Sequence, residues 1–425
     1  MLAALLNAWR VPELRRRIGF TALILAIYRL GSYIPVPGVD STGIRNFFGN
    51  NSGNFLSLLN TFAGGALANL SLFALGIMPY ITASIIIQLM TVVVPSLEKL
   101  QKEGEAGYKK ITQYTRYLTV VLAALQSSGY VFLFHNGSSA LGVSDLLPNL
   151  TLGRFLLIVT SLTAGTTLLM WLGELITQRG IGNGISLLIF ASIIVSAPPA
   201  ITAWLNGGTF ERLALPVVTL LIVLAVVFIN EGQRRIPIQY AKRMVGRRMT
   251  SGGSTYMPLR VNMAGVIPVI FAVAVLFFPP TLGQLIPALS PLTRWLAPGG
   301  WPATIFEFAL VVLFTFFYTA VTFNPVDQAD NLKKHGGFIP GVRPGRPTAE
   351  YLDRVLTRLT LPGAFYLGVI AVLPNIFIRY GGFSQATARG LGGTSVLIVV
   401  GVALDAMRQM ESQLMMRHYE GFLSR

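Results

Sequence analysis

A short apolar segment that runs straight into a long one constrains this chain more than any other feature. From Phe55 to Asn69 the residues are largely apolar, but they are too few, too polar and too interrupted by Gly64-Gly65 to cross a bilayer, and Leu70 to Val94 follows at full length. A hydrocarbon core about 30 Å thick takes about 20 helical residues. Backbone that stops partway is tolerated only where protein covers it or where it borders a water-filled cavity. The segment therefore reads either as a re-entrant element in the mouth of a cavity or as a surface loop carrying a few apolar residues. Its own residues do not choose between the two.

The rest of the chain supplies the setting. Ten apolar runs follow one another: Ile18–Ile34, Leu70–Val94, Tyr117–Phe134, Phe155–Leu172, Ile185–Ile201, Leu213–Ile229, Ala264–Leu282, Ile305–Phe323, Leu359–Ile378 and Ser395–Met407. With 53% hydrophobic and 12% charged residues, this is the composition of a polytopic membrane protein. An even number of spans puts both termini on one side. Most Lys and Arg fall on that side too, so it reads as cytoplasmic. The net charge of +16 exceeds what orientation alone requires. Five spans per half, 1–204 and 205–425, means that the halves must be inverted if they are structural repeats, although no residue-level repeat stands out. The start, Met1 to Phe20, lacks the order of a signal peptide, because Arg15-Arg16-Arg17 follows its apolar run; it reads as a helix on the cytoplasmic surface. There is no cysteine, which excludes disulfides and thiolate chemistry.

Between the spans, Pro79 is expected to kink span two from its interior, and Pro95 to Gln113 reads as a charged cytoplasmic loop. Arg179-Gly180-Ile181-Gly182-Asn183-Gly184-Ile185-Ser186 has alternating glycines but follows a membrane helix rather than a strand, so a tight turn fits it better than a phosphate-binding loop. Two larger cytoplasmic loops remain. In 231–262, Ile236 to Tyr240 and Thr255 to Leu259 flank Ser251-Gly252-Gly253-Ser254, which predicts a protruding hairpin with the basic pairs Arg234-Arg235, Lys242-Arg243 and Arg247-Arg248 on its flank. In 324–359, the Gly- and Pro-rich stretch Lys333 to Pro347 predicts shaped turns that present Arg343 and Arg346 to water. Arginines on rigid turns suit a macromolecular partner with phosphate or carboxylate groups, such as RNA or an acidic protein surface.

The spans offer little chemistry. His135, His335 and His418 lie outside them, and no acidic pair is buried in one, so a hydrolytic dyad is missing. Coupled ion transport normally places ionisable groups at depth; here Arg29, Arg116, Glu174 and Glu307 fall near span ends, where snorkelling or capping explains them. What the spans hold is isoleucine, small residues and scattered amides and hydroxyls such as Thr82, Ser84, Gln88, Gln126 and Asn262. Such amides serve either as interhelical glue or as gate contacts. An apolar lining with no charged ring suits a pore that is indifferent to what passes and closes by dewetting.

At this point the residues resemble a known family. Gly76 to Gln88 is similar to the second-span signature of the SecY family of bacterial protein-conducting channels. Arg179–Ser186, Val261–Pro268, Phe323–Pro325, Asn331–Lys334, Pro340–Gly345 and Gly392–Ser395 match it in order over nearly the whole chain. The resemblance implies an all-α polytopic membrane protein of the bacterial cytoplasmic membrane, with ten transmembrane helices in two inverted five-helix halves and a re-entrant plug helix. The plug would be Asn60, Thr61, Phe62, Ala63, Gly64, Gly65, Ala66, Leu67, Ala68 and Asn69, and Ile77, Ile81, Ile189, Ile270 and Ile398 would form the pore constriction. Spans two and three against seven and eight would form a lateral gate with Gln88, Gln126 and Asn262 as its polar contacts. Arg247, Arg248 and Arg343 would meet the ribosome or the motor ATPase SecA, and SecE and SecG would be membrane partners. Unfolded preproteins would be the substrates, no cofactor is implied, and apolar segments would leave sideways into the lipid bilayer. The external loop 280–304 has no match in the family pattern. The competing class is an inverted-repeat secondary transporter, which shares the odd span number per half but wants ionisable residues within the spans.

Overall fold

The computed structural model describes residues 11–37, 39, 43–45, 48, 55–136, 147, 150–240, 243–245, 248–250, 254–285 and 300–423. The described helices are α1 (Pro12–Gly31), α2 (Phe55–Phe62), α3 (Met78–Val93), α4 (Pro95–Lys102), α5 (Glu105–Asn136), α6 (Leu152–Arg179), α7 (Gly184–Leu205), α8 (Thr209–Glu231), α9 (Ile267–Leu285), α10 (Trp301–Thr322), α11 (Pro325–Lys334), α12 (Arg346–Tyr380), α13 (Gln385–Gly390) and α14 (Gly393–Leu423). Among the described residues, seven helical stretches are long and apolar enough to cross a membrane, or eight if α3 and α4, bent by 98° at the break between them, count as one. The chain is a multi-pass membrane protein. In α1 the apolar run is diluted by Glu13, Arg15, Arg16, Arg17 and Arg29, and in α9 the qualifying apolar stretch is the short Ile267–Leu276.

Several local expectations change. Span two does not start at Leu70: residues 70–77 are a run of turns, with Leu70 at φ 38° and Gly76 at φ 58°, and the helix begins at Met78. Pro79 thus lies in the first turn of α3 rather than in its interior, where its missing N–H costs no hydrogen bond and its fixed φ suits a helix start. The expected charged loop from Pro95 to Gln113 is helical, formed by α4 and the start of α5. The turns expected near Arg343 are present, but the surrounding stretch is helical: α11 precedes them, and α12 begins at Arg346, just after Gly345 at φ 104°.

The hairpin forms with a shifted tip. β1 (Gln233–Tyr240) pairs antiparallel with β4 (Ser254–Arg260), placing Ile236 opposite Met257 and Ile238 opposite Thr255. β2 (Arg243–Val245) and β3 (Arg248–Thr250) continue the same register, with Val245 opposite Arg248. The chain therefore reverses between those two residues and not at Ser251 to Ser254. Of that expected turn, 251–253 lie outside the described residues, as do 1–10 of the expected surface helix and 286–299 of the external loop. β5 (Gly337–Phe338) pairs with the other edge of β1, so the loops 231–262 and 324–359 share one three-stranded sheet.

One large buried apolar cluster runs from Ile24 of α1 to Val402 of α14 and draws on α2, α3, α5 to α10 and α12. A second, small core of Ile236, Leu259, Ile339, Leu352, Val355 and Leu356 ties the sheet to the start of α12. Outward faces are apolar, as lipid requires: on α8, Leu213, Val217, Leu220, Leu224 and Phe228 are all exposed. Close backbone approach is built in at Gly165 of α6, where a Cβ would sit 1.9 Å from the Leu72 carbonyl oxygen.

Candidate pore, plug and docking face

The five isoleucines, Ile77, Ile81, Ile189, Ile270 and Ile398, are all buried in the large cluster. They come from the first turns of α3, α7, α9 and α14 or, for Ile77, from the residue just before α3. These helices touch across the chain's midpoint: α9 packs on α3 and α5, and α14 packs on α7. A spacing links four of the five. Ile81 and Ile270 stand five residues after the left-handed glycines Gly76 and Gly265. Ile189 and Ile398 stand five residues after Gly184 and Gly393, the first residues of α7 and α14. Ile77, which directly follows Gly76, has a counterpart in Val266, which directly follows Gly265 and is 3% exposed, and which sequence reasoning passed over. The glycine-to-isoleucine interval was the signal that could have found it.

Residues 59–69 of the half-length segment are buried or half-buried. α2 ends at Phe62, so of 60–69 only the first three residues are helical and the remainder is turns. Ala63, Ala66, Leu67 and Leu70 are buried, and Gly64 and Gly65 adopt φ of 64° and 83°. The segment closes on itself through Asn60, whose side-chain oxygen accepts from the Ala68 amide at 2.9 Å and whose carbonyl accepts from the Gly65 amide at 2.8 Å. It packs on α7 and meets α1 through polar contacts. The Tyr28 hydroxyl lies 3.3 Å from the Ala63 carbonyl and 2.6 Å from Ser192 Oγ, and Arg29 donates to the Gly64 carbonyl at 3.1 Å.

The three amides do not join one another through any hydrogen bond among the described residues. Gln88 donates weakly to Ser84 at 3.4 Å, and its side-chain oxygen is buried without a partner. Gln126 is half-buried on α5. Asn262 donates instead to Asn230 Oδ1 at 2.9 Å and to the Gly265 carbonyl at 3.1 Å, leaving its own oxygen buried and without a partner. Asn230 was not singled out from sequence because nothing local marks it. Arg408 of α14 meets it there, donating to the Asn230 carbonyl at 2.6 Å and to Glu231 at 2.9 Å.

Charges near the span ends are paired between helices rather than snorkelling alone. Arg116 of α5 holds Glu174 of α6 in a two-point ion pair at 3.0 and 2.5 Å, the fork geometry that guanidinium favours. Glu307 of α10 is buried and accepts from Asn375 of α12 at 3.0 Å. The glycine run after α6 is a tight turn: Asn183 caps α7 by accepting from the Ile185 and Ser186 amides, and Gly182 donates to Gln409.

On the loop 324–359, Arg343 is exposed in a turn fixed by Thr348 Oγ1, which donates to the Arg343 carbonyl at 2.8 Å. Arg346 is exposed and pairs with Glu350. Arg248 opens β3, while Arg247 lies outside the described residues.

A family model described as SecY matches residues 71–407. The protein translocase subunit SecY of Mycobacterium tuberculosis (strain ATCC 25618 / H37Rv) is 49% identical over 440 residues, covering 100% of both chains. That of Streptomyces galbus is 50% identical over 439 residues, again covering 100% of both. Among solved structures, one described as a protein conducting channel superposes with a TM-score of 0.64 at 19% identity, covering 96% of each chain. Sec61 in a canine ribosome–channel complex from the endoplasmic reticulum gives 0.61 at 18% identity, with 96% of each covered. These structures share the fold, and relatives of about half identity share the full length: the chain belongs to the SecY family.

Proposed function

We infer that the chain is the pore-forming subunit of a protein translocation channel, which passes unfolded polypeptides across a membrane and releases apolar segments sideways into lipid. The observation that carries this reading is the buried half-length segment, lodged against α1 and α7 in the same apolar cluster as Ile77, Ile81, Ile189, Ile270 and Ile398. A stopper beside a ring of aliphatic side chains makes a closed pore. A polypeptide pushed from the cytoplasm displaces 60–69 and threads the isoleucines, which seal around it by dewetting and steric fit. The packing of α9 on α3 and α5 supports a seam at which the two halves part. A substrate stretch of about 20 apolar residues lowers its free energy by leaving through that seam.

The finer architecture belongs to the same proposal: ten spans in two inverted halves, 1–204 and 205–425, and both termini on the cytoplasmic side of a bacterial inner membrane. The paired helix starts at Gly76 and Gly265, and at Gly184 and Gly393, support the inversion. Gln88, Gln126 and Asn262 act at the seam, and Arg247, Arg248 and Arg343 meet the ribosome or the motor SecA. SecE and SecG complete the membrane complex. Energy comes from the motor or the ribosome, since no turn here has the context of a nucleotide site. The secondary-transporter reading is not favoured, because Arg116, Glu174 and Glu307 are engaged in side-chain pairs between helices.

The test is ion conductance in liposomes that carry the chain with its SecE partner, with and without residues 60–69. Low conductance that rises on deletion supports the plugged pore. Unchanged low conductance removes the stopper role and returns the transporter to a direct uptake assay.

A further inference from the structure

We propose that Tyr28, Arg29 and Ser192 form a latch that holds the half-length segment shut and lets it leave at low cost; this rests on the plug reading above. Two adjacent residues at the end of α1 engage two adjacent carbonyls just past α2. The Tyr28 hydroxyl lies 3.3 Å from the Ala63 carbonyl, and Arg29 donates to the Gly64 carbonyl at 3.1 Å. Carbonyls at a helix end lack intrahelical donors and carry the negative end of the helix dipole, so a cation and a hydroxyl are suited to them. The fit is tight. Gly64 is left-handed at φ 64°, and a Cβ there would stand 3.0 Å from the Tyr28 hydroxyl and 3.2 Å from Ser192 Cα. Tyr28 is itself fixed, 3% exposed and stacked on Phe73 at 5.9 Å.

The latch donors sit on α1 and α7, while the bonds that shape the segment are its own: Asn60 to Ala68 and Gly65, and Ser71 to the Ala66 carbonyl. At the far end, the chain is hinged by a bridge between Pro35 and Ser71, with the Val36 amide on the Leu70 carbonyl and the Leu72 amide on the Ile34 carbonyl. Arg45 holds Asn69 separately at 2.7 Å, so breaking the latch releases the Ala63–Gly64 part of the segment without unwinding it.

Release is inexpensive because the donors have other acceptors in place. Ser192 Oγ lies 2.6 Å from the Tyr28 hydroxyl and itself donates to the Leu188 carbonyl at 2.9 Å. Two hydroxyl protons thus face three contacts. When Ala63 leaves, Tyr28 donates to Ser192 and Ser192 to Leu188, so neither buried hydroxyl is orphaned. Arg29 keeps its Nη2 bond to the Tyr33 hydroxyl, with the Tyr33 ring 4.3 Å beneath its guanidinium carbon, and gives up only the Nη1 bond to Gly64. An unsatisfied buried donor is what normally makes such a contact costly to break, and the exchange from Ala63 to Ser192 removes that penalty at Tyr28.

This exchange gives substitutions of opposite sign. Arg29→Met and Tyr28→Phe remove a donor to the segment and raise the open probability, Arg29→Met about tenfold and Tyr28→Phe a few-fold, as expected for a charged and a neutral hydrogen bond. Arg29→Lys restores part of the effect. Ser192→Ala removes the hydroxyl's alternative partner and lowers the open probability a few-fold. The experiment is single-channel recording of the chain with its SecE partner, each variant made in the full chain and in the chain lacking 60–69. Two results support the latch: opposite signs for Tyr28→Phe and Ser192→Ala, and the loss of all these effects in the deletion background. Effects that persist without 60–69 overturn it, since the residues then act elsewhere. If deletion raises conductance while the substitutions do nothing, the plug stands and the latch fails. If deletion itself changes nothing, both fail.

Discussion

α3 and α9 begin alike and are fed differently. Each follows a left-handed glycine, Gly76 at φ 58° and Gly265 at φ 63°. Each has proline as its second residue, Pro79 and Pro268, and each opens with the amide of an isoleucine on the carbonyl just after the glycine, Ile81 on Ile77 at 3.1 Å and Ile270 on Val266 at 3.3 Å. What precedes them has nothing in common. α3 follows the buried turns that run on from α2, and α9 follows the hairpin of β1 to β4. The device that starts these two helices is local, and what is attached upstream decides which motion reaches each: a shift of the buried turns at one, a pull on the hairpin at the other.

Substitutions that act on one input should separate the two. The largest effect is expected at Gly165→Ala on the α3 side, where the new Cβ meets the Leu72 carbonyl at 1.9 Å and backbone must shift. A loss of about 3 kcal/mol, read as a drop in the unfolding midpoint of the purified complex, is the expected outcome; a neutral result would mean that the turns before α3 are free to move. Next comes Arg408→Ala on the α9 side, which removes donors to Asn230 and Glu231. It should cost about 1.5 kcal/mol and increase hydrogen exchange in 231–262 while sparing 60–77. Equal change in both regions would undo the separation. Gly401→Ala presses on Val266 Cγ1 at 2.3 Å, but a side chain can turn away, so about 1 kcal/mol is expected in the same unfolding assay. Smallest are Pro79→Ala and Pro268→Ala, each below about 0.5 kcal/mol, because a first-turn proline forgoes no helical hydrogen bond. A gain of stability well above that from Pro79→Ala would return the proline to a kinked interior.

The positions of the helices were legible because about 20 consecutive apolar residues leave few alternatives. The strands of the hairpin were legible from Ile236 and Ile238 alternating with polar residues. Its tip was misread because Ser251 to Ser254 looks more turn-like than the step between Val245 and Arg248, and register is decided by the whole ladder rather than by one turn. Pro79 was misread for a related reason: the same residue breaks a helix interior or begins a helix, and only the turns at 70–77 say which. Asn230, and the pairing of Arg116 with Glu174, lay beyond reach because such contacts depend on how distant helices pack. The isoleucines came from family resemblance, yet their spacing from Gly76, Gly184, Gly265 and Gly393 was present in the chain throughout.

The pairing of β5 with β1 has a consequence for affinity. A partner that grips the hairpin with one patch and the Arg343 turn with another meets two sites on a single stiff body. The second grip then forms at a high local concentration instead of having to be won again from solution, so two weak attachments multiply. Loosening that two-strand seam by a proline in 337–338 would leave each patch intact and still cost the complex its avidity.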